Sequence, residues 1–214
     1  MAKKKKRAKT KYTFICEGDR EYYMLKYLNV LILDKINKII HKKGGTAESI
    51  MLEAIKLSHT YPNLVVIFDQ DFQHKQPITE DTLKALQESW NIEESLIGID
   101  YKDLASKNTN KKNPIVIVSH PSSIEGFILR VFGRDQKTLE GKTTTQLKGE
   151  LVTLMDNILR DVDINAEQEN IEGLTQDLKK YCLFLMHSNF VQKMKDTRHK
   201  VLESDMLLKL FETD

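Results

Sequence analysis

The chain has 214 residues, 40% of them hydrophobic and 30% charged, with a formal net charge of +2. That composition suits one α/β domain, or one domain with a helical appendage, and gives enough length for a sizeable core. No apolar stretch approaches the ~20 residues that span a bilayer. The basic N-terminus is not followed by the apolar segment of a signal peptide, and Cys16 and Cys182 stand far apart in no metal-ligand or CxxC spacing. A membrane span, a disulfide framework and a zinc site are therefore not expected, and a reducing cytoplasm is.

The small net charge hides an asymmetry. Residues 1–11 carry Lys3, Lys4, Lys5, Lys6, Arg7, Lys9 and Lys11, which leaves 26 basic against 31 acidic residues in the remainder. The tail reads as disordered, and either keeps the chain soluble or neutralises phosphates on a nucleic acid.

Taken in chain order, Tyr12 to Cys16 reads as a first strand and Glu17-Gly18-Asp19 as a turn, with Asp19 capping a helix from about Arg20 to Leu33. Lys35 to Ile40 is a second strand. His41-Lys42-Lys43-Gly44-Gly45 breaks the pattern, and Thr46 caps a second helix to about His59. Asn63 to Phe68 is continuously apolar and β-branched, as a strand buried on both faces should be, and it ends in Asp69-Gln70-Asp71. A helix within Thr79–Trp90 and a polar loop over Lys107–Asn113 come next. Ile115-Val116-Ile117-Val118 is another buried strand, leading into Ser119-His120-Pro121-Ser122-Ser123, and from Ile124 onward the chain reads as helical. Strand–helix alternation predicts a mostly parallel sheet with right-handed crossovers, flanked by helices. Residues 12–140 form the α/β domain in this reading. Residues 141–214 form a helical extension packed on it, with Leu147, Leu151, Leu154, Met155, Ile158 and Leu159 at helical spacing.

Parallel strands deliver the residues at their carboxyl ends to one edge of a sheet, where ligands of open α/β sheets bind. Glu17 comes just after the first strand, Asp69 and Asp71 after the third and Glu125 after the fourth, while Glu21 lies one helical turn beyond Glu17. Carboxylates crowded in this way raise one another's pKa unless a cation lies between them, so a divalent metal is expected. Each residue also has an ordinary structural role open to it. Glu21 suits the helix dipole, Ser122-Ser123-Ile124-Glu125 has capping-box spacing, and an aspartate after a strand is a common turn residue. His41, His74 and His120 share no ligand spacing, although His120 is a phosphate-contact candidate. His187 and His199 fall in a helical packing region.

The segments Phe14-Ile15-Cys16-Glu17-Gly18-Asp19-Arg20-Glu21, Gly44-Gly45, Val66-Ile67-Phe68-Asp69-Gln70-Asp71 and Ser119 to Leu129 resemble, in this order, the motifs of RloB-like proteins. These carry a toprim (topoisomerase-primase) domain and are often encoded beside an ABC-type or SMC-like ATPase in bacterial anti-phage, abortive-infection systems. The resemblance covers about residues 12–133. It departs from the family where His120 replaces an Asn and Ser122-Ser123-Ile124 intervenes before Glu125.

The resemblance implies a toprim-like fold with Glu17 as general acid/base or metal ligand, and with Asp69 and Asp71 holding Mg²⁺ or Mn²⁺. If Glu21 and Glu125 complete a second cation position, in-line two-metal cleavage of a phosphodiester is open to the site. The expected activity is metal-dependent cleavage of phosphodiester bonds in RNA, tRNA included, or in DNA. Arg20, Lys42, Lys43, Lys111, Lys112 and His120 would steer the nucleic acid, and a nearby ATPase or a second copy of the chain would be the protein partner. Two other classes stay open. One is a toprim-fold sensor or regulatory subunit of an ATPase that no longer cuts. The other is a haloacid-dehalogenase or receiver-like phosphoryl-transfer protein, against whose haloacid-dehalogenase form stand the position of the acidic pair after the third strand and Phe72-Gln73 where Gly-Thr is expected.

Overall fold

Four runs rich in β-branched and aromatic residues form the strands β1 (Tyr12–Cys16), β2 (Ile36–His41), β3 (Leu64–Asp69) and β4 (Ile115–Ser119). They pair in the order β2-β1-β3-β4, every pair parallel. The computed structural model describes residues 10–31, 35–44, 46–69, 78–90, 104, 113–119, 121, 123–164 and 171–212. The described helices are α1 (Asp19–Leu31), α2 (Ala47–Ser58), α3 (Glu80–Trp90), α4 (Ile124–Val131), α5 (Gln136–Leu139), α6 (Thr144–Ile158), α7 (Gln176–His187), α8 (Phe190–Thr197) and α9 (Leu202–Glu212). The α/β class expected from the sequence is what is found: a parallel central sheet flanked by helices with a helical C-terminal part, consistent with a toprim-like fold. None of the described helices is long and apolar enough to cross a membrane.

Successive strand residues point to opposite faces, and both faces are covered. Phe14, Cys16, Val65, Ile67 and Ile117 meet α1 and the C-terminal helices in one core, where Phe14 stacks on Phe211 with ring centroids 6.3 Å apart. Ile15, Val66, Phe68, Val116 and Val118 meet α2, α3 and Leu104 in the other. The placement of α1 and α2 is a matter of handedness. The chain steps one way from β1 to β2 and the other way from β2 to β3, so right-handed crossovers put α1 and α2 on opposite faces.

Local signals set the helix ends. Thr46 Oγ1 accepts the Ser49 N–H at 3.2 Å and Ser49 Oγ accepts the Thr46 N–H at 3.1 Å, a reciprocal box that starts α2 where the sequence places it. α1 begins one residue earlier than expected and Asp19 is not its cap: Asp19 is already helical, and the Gly18 carbonyl accepts the Tyr22 N–H at 3.2 Å. β2 is likewise displaced by one residue from the expected span.

α4 is buried on every side. Its Gly126 is required, because a Cβ there would overlap the Pro121 carbonyl oxygen. Its one basic residue, Arg130, is matched inside the protein by Glu203 of α9, with Nη1 3.1 Å from both carboxylate oxygens.

Candidate functional site

The reversal of direction between β1 and β3 opens a crevice beyond their carboxyl ends, the topological switch point at which α/β sheets bind ligands. Glu17 leaves β1 there and Asp69 ends β3 there. Glu21 arrives from the first turn of α1 and Glu125 from the first turn of α4. All four line one cleft of about 600 Å³, whose opposite wall is built by Lys148 and Val152 of α6 and by Asp177 of α7. Four of the residues singled out in the sequence as metal ligands are thus brought together. Asp71, the fifth, lies outside the described residues.

Backbone geometry fixes two of these carboxylates. At Gly18 a Cβ would stand 2.5 Å from Glu21 Oε2, so the glycine leaves room for the Glu21 carboxylate against the turn after β1. Asp69 Oδ1 accepts the Ile124 N–H at 2.7 Å, which is one of the orphan donors at the start of α4. Ser123, the residue in the N-cap position, makes no side-chain cap bond. A carboxylate from β3 therefore does a cap's work on a distant helix, and the floor of the cleft is tied to α4.

The electrostatics arise from burial and crowding. Burial pushes the Glu21 carboxyl up to about 7; its hydrogen bonds to backbone and to Asp69 offset this in part, and the nearby Glu125 and Glu17 add to it. Asp69 is raised well above the ordinary range, by burial first and then by Glu21 and Glu125. The two carboxyls are hydrogen-bonded to each other, an arrangement that requires a shared proton. Glu125 bonds Arg20 through Oε1, while its Oε2 is buried with no hydrogen-bond partner among the described residues. Glu21 does stand in the first turn of α1, but at 2% exposure and in a carboxyl pair, while Glu125 reaches across to Arg20 instead of closing a capping box.

Arg20 is held more tightly than a phosphate-steering residue needs to be. Burial opposes its charge, but Glu125 and Asp177 outweigh that and hold it more firmly protonated than usual. Nη2 lies 2.8 Å from Asp177 and the guanidinium sits 5.7 Å from the centre of the Tyr181 ring. Tyr181 and Asp177 belong to α7 and were not foreseen as site residues, nor was Lys148. Burial first, then Glu21, drives the Tyr181 hydroxyl well above its usual range. Lys42 comes directly after β2, with Nζ 3.5 Å from Glu53, and neither it nor Lys43 lines the cleft. Lys111, Lys112, His120, His74, Gly45 and residues 1–9 of the basic tail lie outside the described residues.

The donor set is carboxylate oxygen throughout, which fits Mg²⁺ or Mn²⁺ and not a soft metal. Among the described residues, no three His, Cys, Asp or Glu side chains already stand as a closed cation cage. Instead Glu21 pairs with Asp69, and Glu125 with Arg20. Compared with known proteins, the chain matches no family model, no curated protein and no solved structure.

Proposed function

We propose that the chain is a metal-dependent phosphodiester hydrolase acting on RNA, tRNA included, or on DNA, and that it is the toprim effector of an anti-phage system with an ATPase partner. The observation that carries the chemical part is the meeting of Glu17, Glu21, Asp69 and Glu125 in one cleft at the switch point of a parallel sheet. The defence setting and the ATPase rest on the resemblance to RloB-like proteins. Both cysteines are buried free thiols, which agrees with a cytoplasmic location.

Glu17, Glu21, Asp69 and Glu125 would hold Mg²⁺ or Mn²⁺, with Asp71 as the further ligand that the sequence supplies. Such an ion, when bound, polarises a phosphoryl oxygen and lowers the pKa of water. The protein's own part is preorganisation. The Ile124 N–H fixes the Asp69 carboxylate, Gly18 leaves room for Glu21, and Arg20 holds Glu125 in place. Glu17, on the loop leaving β1, is the residue to exchange a proton with the attacking water or the leaving oxygen.

One observation favours a second reading. The Arg20 guanidinium already neutralises Glu125, which suits a toprim-fold module that senses and does not cut. A receiver-like phospho-acceptor, which Ser119 in register with Asp69 would suit, is disfavoured because both the backbone of α4 and Glu21 engage the Asp69 carboxyl. The deciding assay offers labelled tRNA, single-stranded RNA and plasmid DNA to the purified chain with Mg²⁺ or Mn²⁺, against EDTA and against Glu17→Ala and Asp69→Ala. Cutting that needs the metal and is lost in both variants supports the hydrolase. Metal binding without cutting, with or without an ATPase partner, supports the sensor.

A further inference from the structure

We propose that the cleft admits a single strand of nucleic acid and excludes a duplex, and that Lys148 on the C-terminal wall holds a backbone phosphate of that strand. The proposal rests on the hydrolase reading and assigns its substrate form. Three observations carry it.

The reacting edge is partly recessed: Glu21 and Glu125 are each 2% exposed, and Glu17 and Asp69 beside them in the cleft lining are half-buried. The cleft is walled on the far side by α6 and α7, and its volume of about 600 Å³ is that of a site for one small ligand. A paired, stacked strand cannot lower one phosphodiester into such a recess. A separated strand or an extruded nucleotide can, as in enzymes that must take their target out of the helix. Finally, the cleft lining is strongly acidic, and of its two basic residues Arg20 is already taken by Glu125 and Asp177. Lys148 is exposed, lines the cleft opposite the carboxylates, and has no ion pair or hydrogen bond among the described residues. A flexible ammonium facing an acidic floor suits a phosphate lying between them, since it offsets the repulsion that the carboxylates exert on the backbone.

The test measures binding of one short labelled oligonucleotide, as RNA and as DNA, single-stranded and annealed to its complement. The full chain is used with Ca²⁺ in place of Mg²⁺ to hold back hydrolysis, and cutting with Mg²⁺ is measured in parallel. The expected result is at least tenfold tighter binding of the single strand, weakened about tenfold in Lys148→Ala and largely restored in Lys148→Arg. The salt dependence of log K should fall by about one phosphate contact in the alanine variant. Lys193→Ala, an exposed lysine on α8 away from the cleft, should change neither. Equal or tighter duplex binding, or an unaltered Lys148→Ala whose cutting still depends on Glu17, overturns this proposal and leaves the hydrolase standing. Failure to bind or cut either form overturns both.

Discussion

Among the described residues, two arginine–glutamate pairs are largely withdrawn from solvent, and they live in different company. Arg130 and Glu203 join α4 to α9 with both side chains 6% exposed, and the Lys200 carbonyl takes a further guanidinium bond at 3.3 Å. Charge is balanced there and the contact holds helices together. Arg20 and Glu125 meet instead in a cleft whose described lining sets Glu17, Asp19, Glu21, Asp69, Glu125 and Asp177 against Arg20 and Lys148. Crowded carboxylates raise the free energy of the folded chain, and burial increases the effect. The first pair belongs to a structure at rest. The second belongs to a place that a cation would stabilise.

The comparison breaks most visibly at the balanced pair. Arg130→Met strands the Glu203 carboxylate in the interior and should destabilise the fold by about 3–5 kcal/mol, seen as a lower urea midpoint. At the cleft the signs reverse. Saturating Mn²⁺ at pH 8 should raise stability by about 2–3 kcal/mol at a hundredfold excess over its dissociation constant, and by less at pH 5, where protons compete for the same carboxylates. An unchanged melting temperature at both pH values would remove the metal from the site.

Glu21 gives the pH test. Its folded value of about 7 lies above the ordinary 4.5, so the folded chain keeps a proton that the unfolded chain releases. That contribution is complete below about pH 4.5 and is lost as pH rises through 7. In EDTA, urea titrations should therefore show stability falling over this range. Glu21→Gln should flatten the fall and be more stable than the parent at pH 8 by about 1–2 kcal/mol, although it removes a site carboxylate. A less stable Glu21→Gln at pH 8 would mean that the repulsion is already relieved. The smallest change is expected from Asp177→Asn, because that side chain is 53% exposed. It should cost under about 1 kcal/mol, which a melting curve will resolve only as a slight shift.

The strands were legible in the sequence because a parallel sheet covered on both faces demands apolar β-branched runs, and β1, β3 and β4 have them. The meeting of Glu17, Asp69 and Glu125 came from strand direction alone, and that of Glu21 from one turn of helix. What escaped was everything the C-terminal helices bring. Asp177 and Tyr181 reach Arg20 across more than a hundred and fifty residues of chain, and Lys148 faces the carboxylates from α6. No local period marks such contacts. Glu125 shows why short motifs mislead here: capping-box spacing is a local preference worth about 1 kcal/mol, and the half-buried Arg20 guanidinium that Glu125 pairs with outweighs it. Asp19 failed as a cap for a related reason, since the Gly18 carbonyl had already opened the helix.

The stacking of Phe14 on Phe211 also sets an order of assembly. β1 is synthesised well before its partner on α9, and Arg20 must wait for α7 to acquire Asp177. Contacts of such long sequence separation close late. Until α6 and α7 have followed, the nascent chain carries the acidic edge without the wall that makes it a cleft.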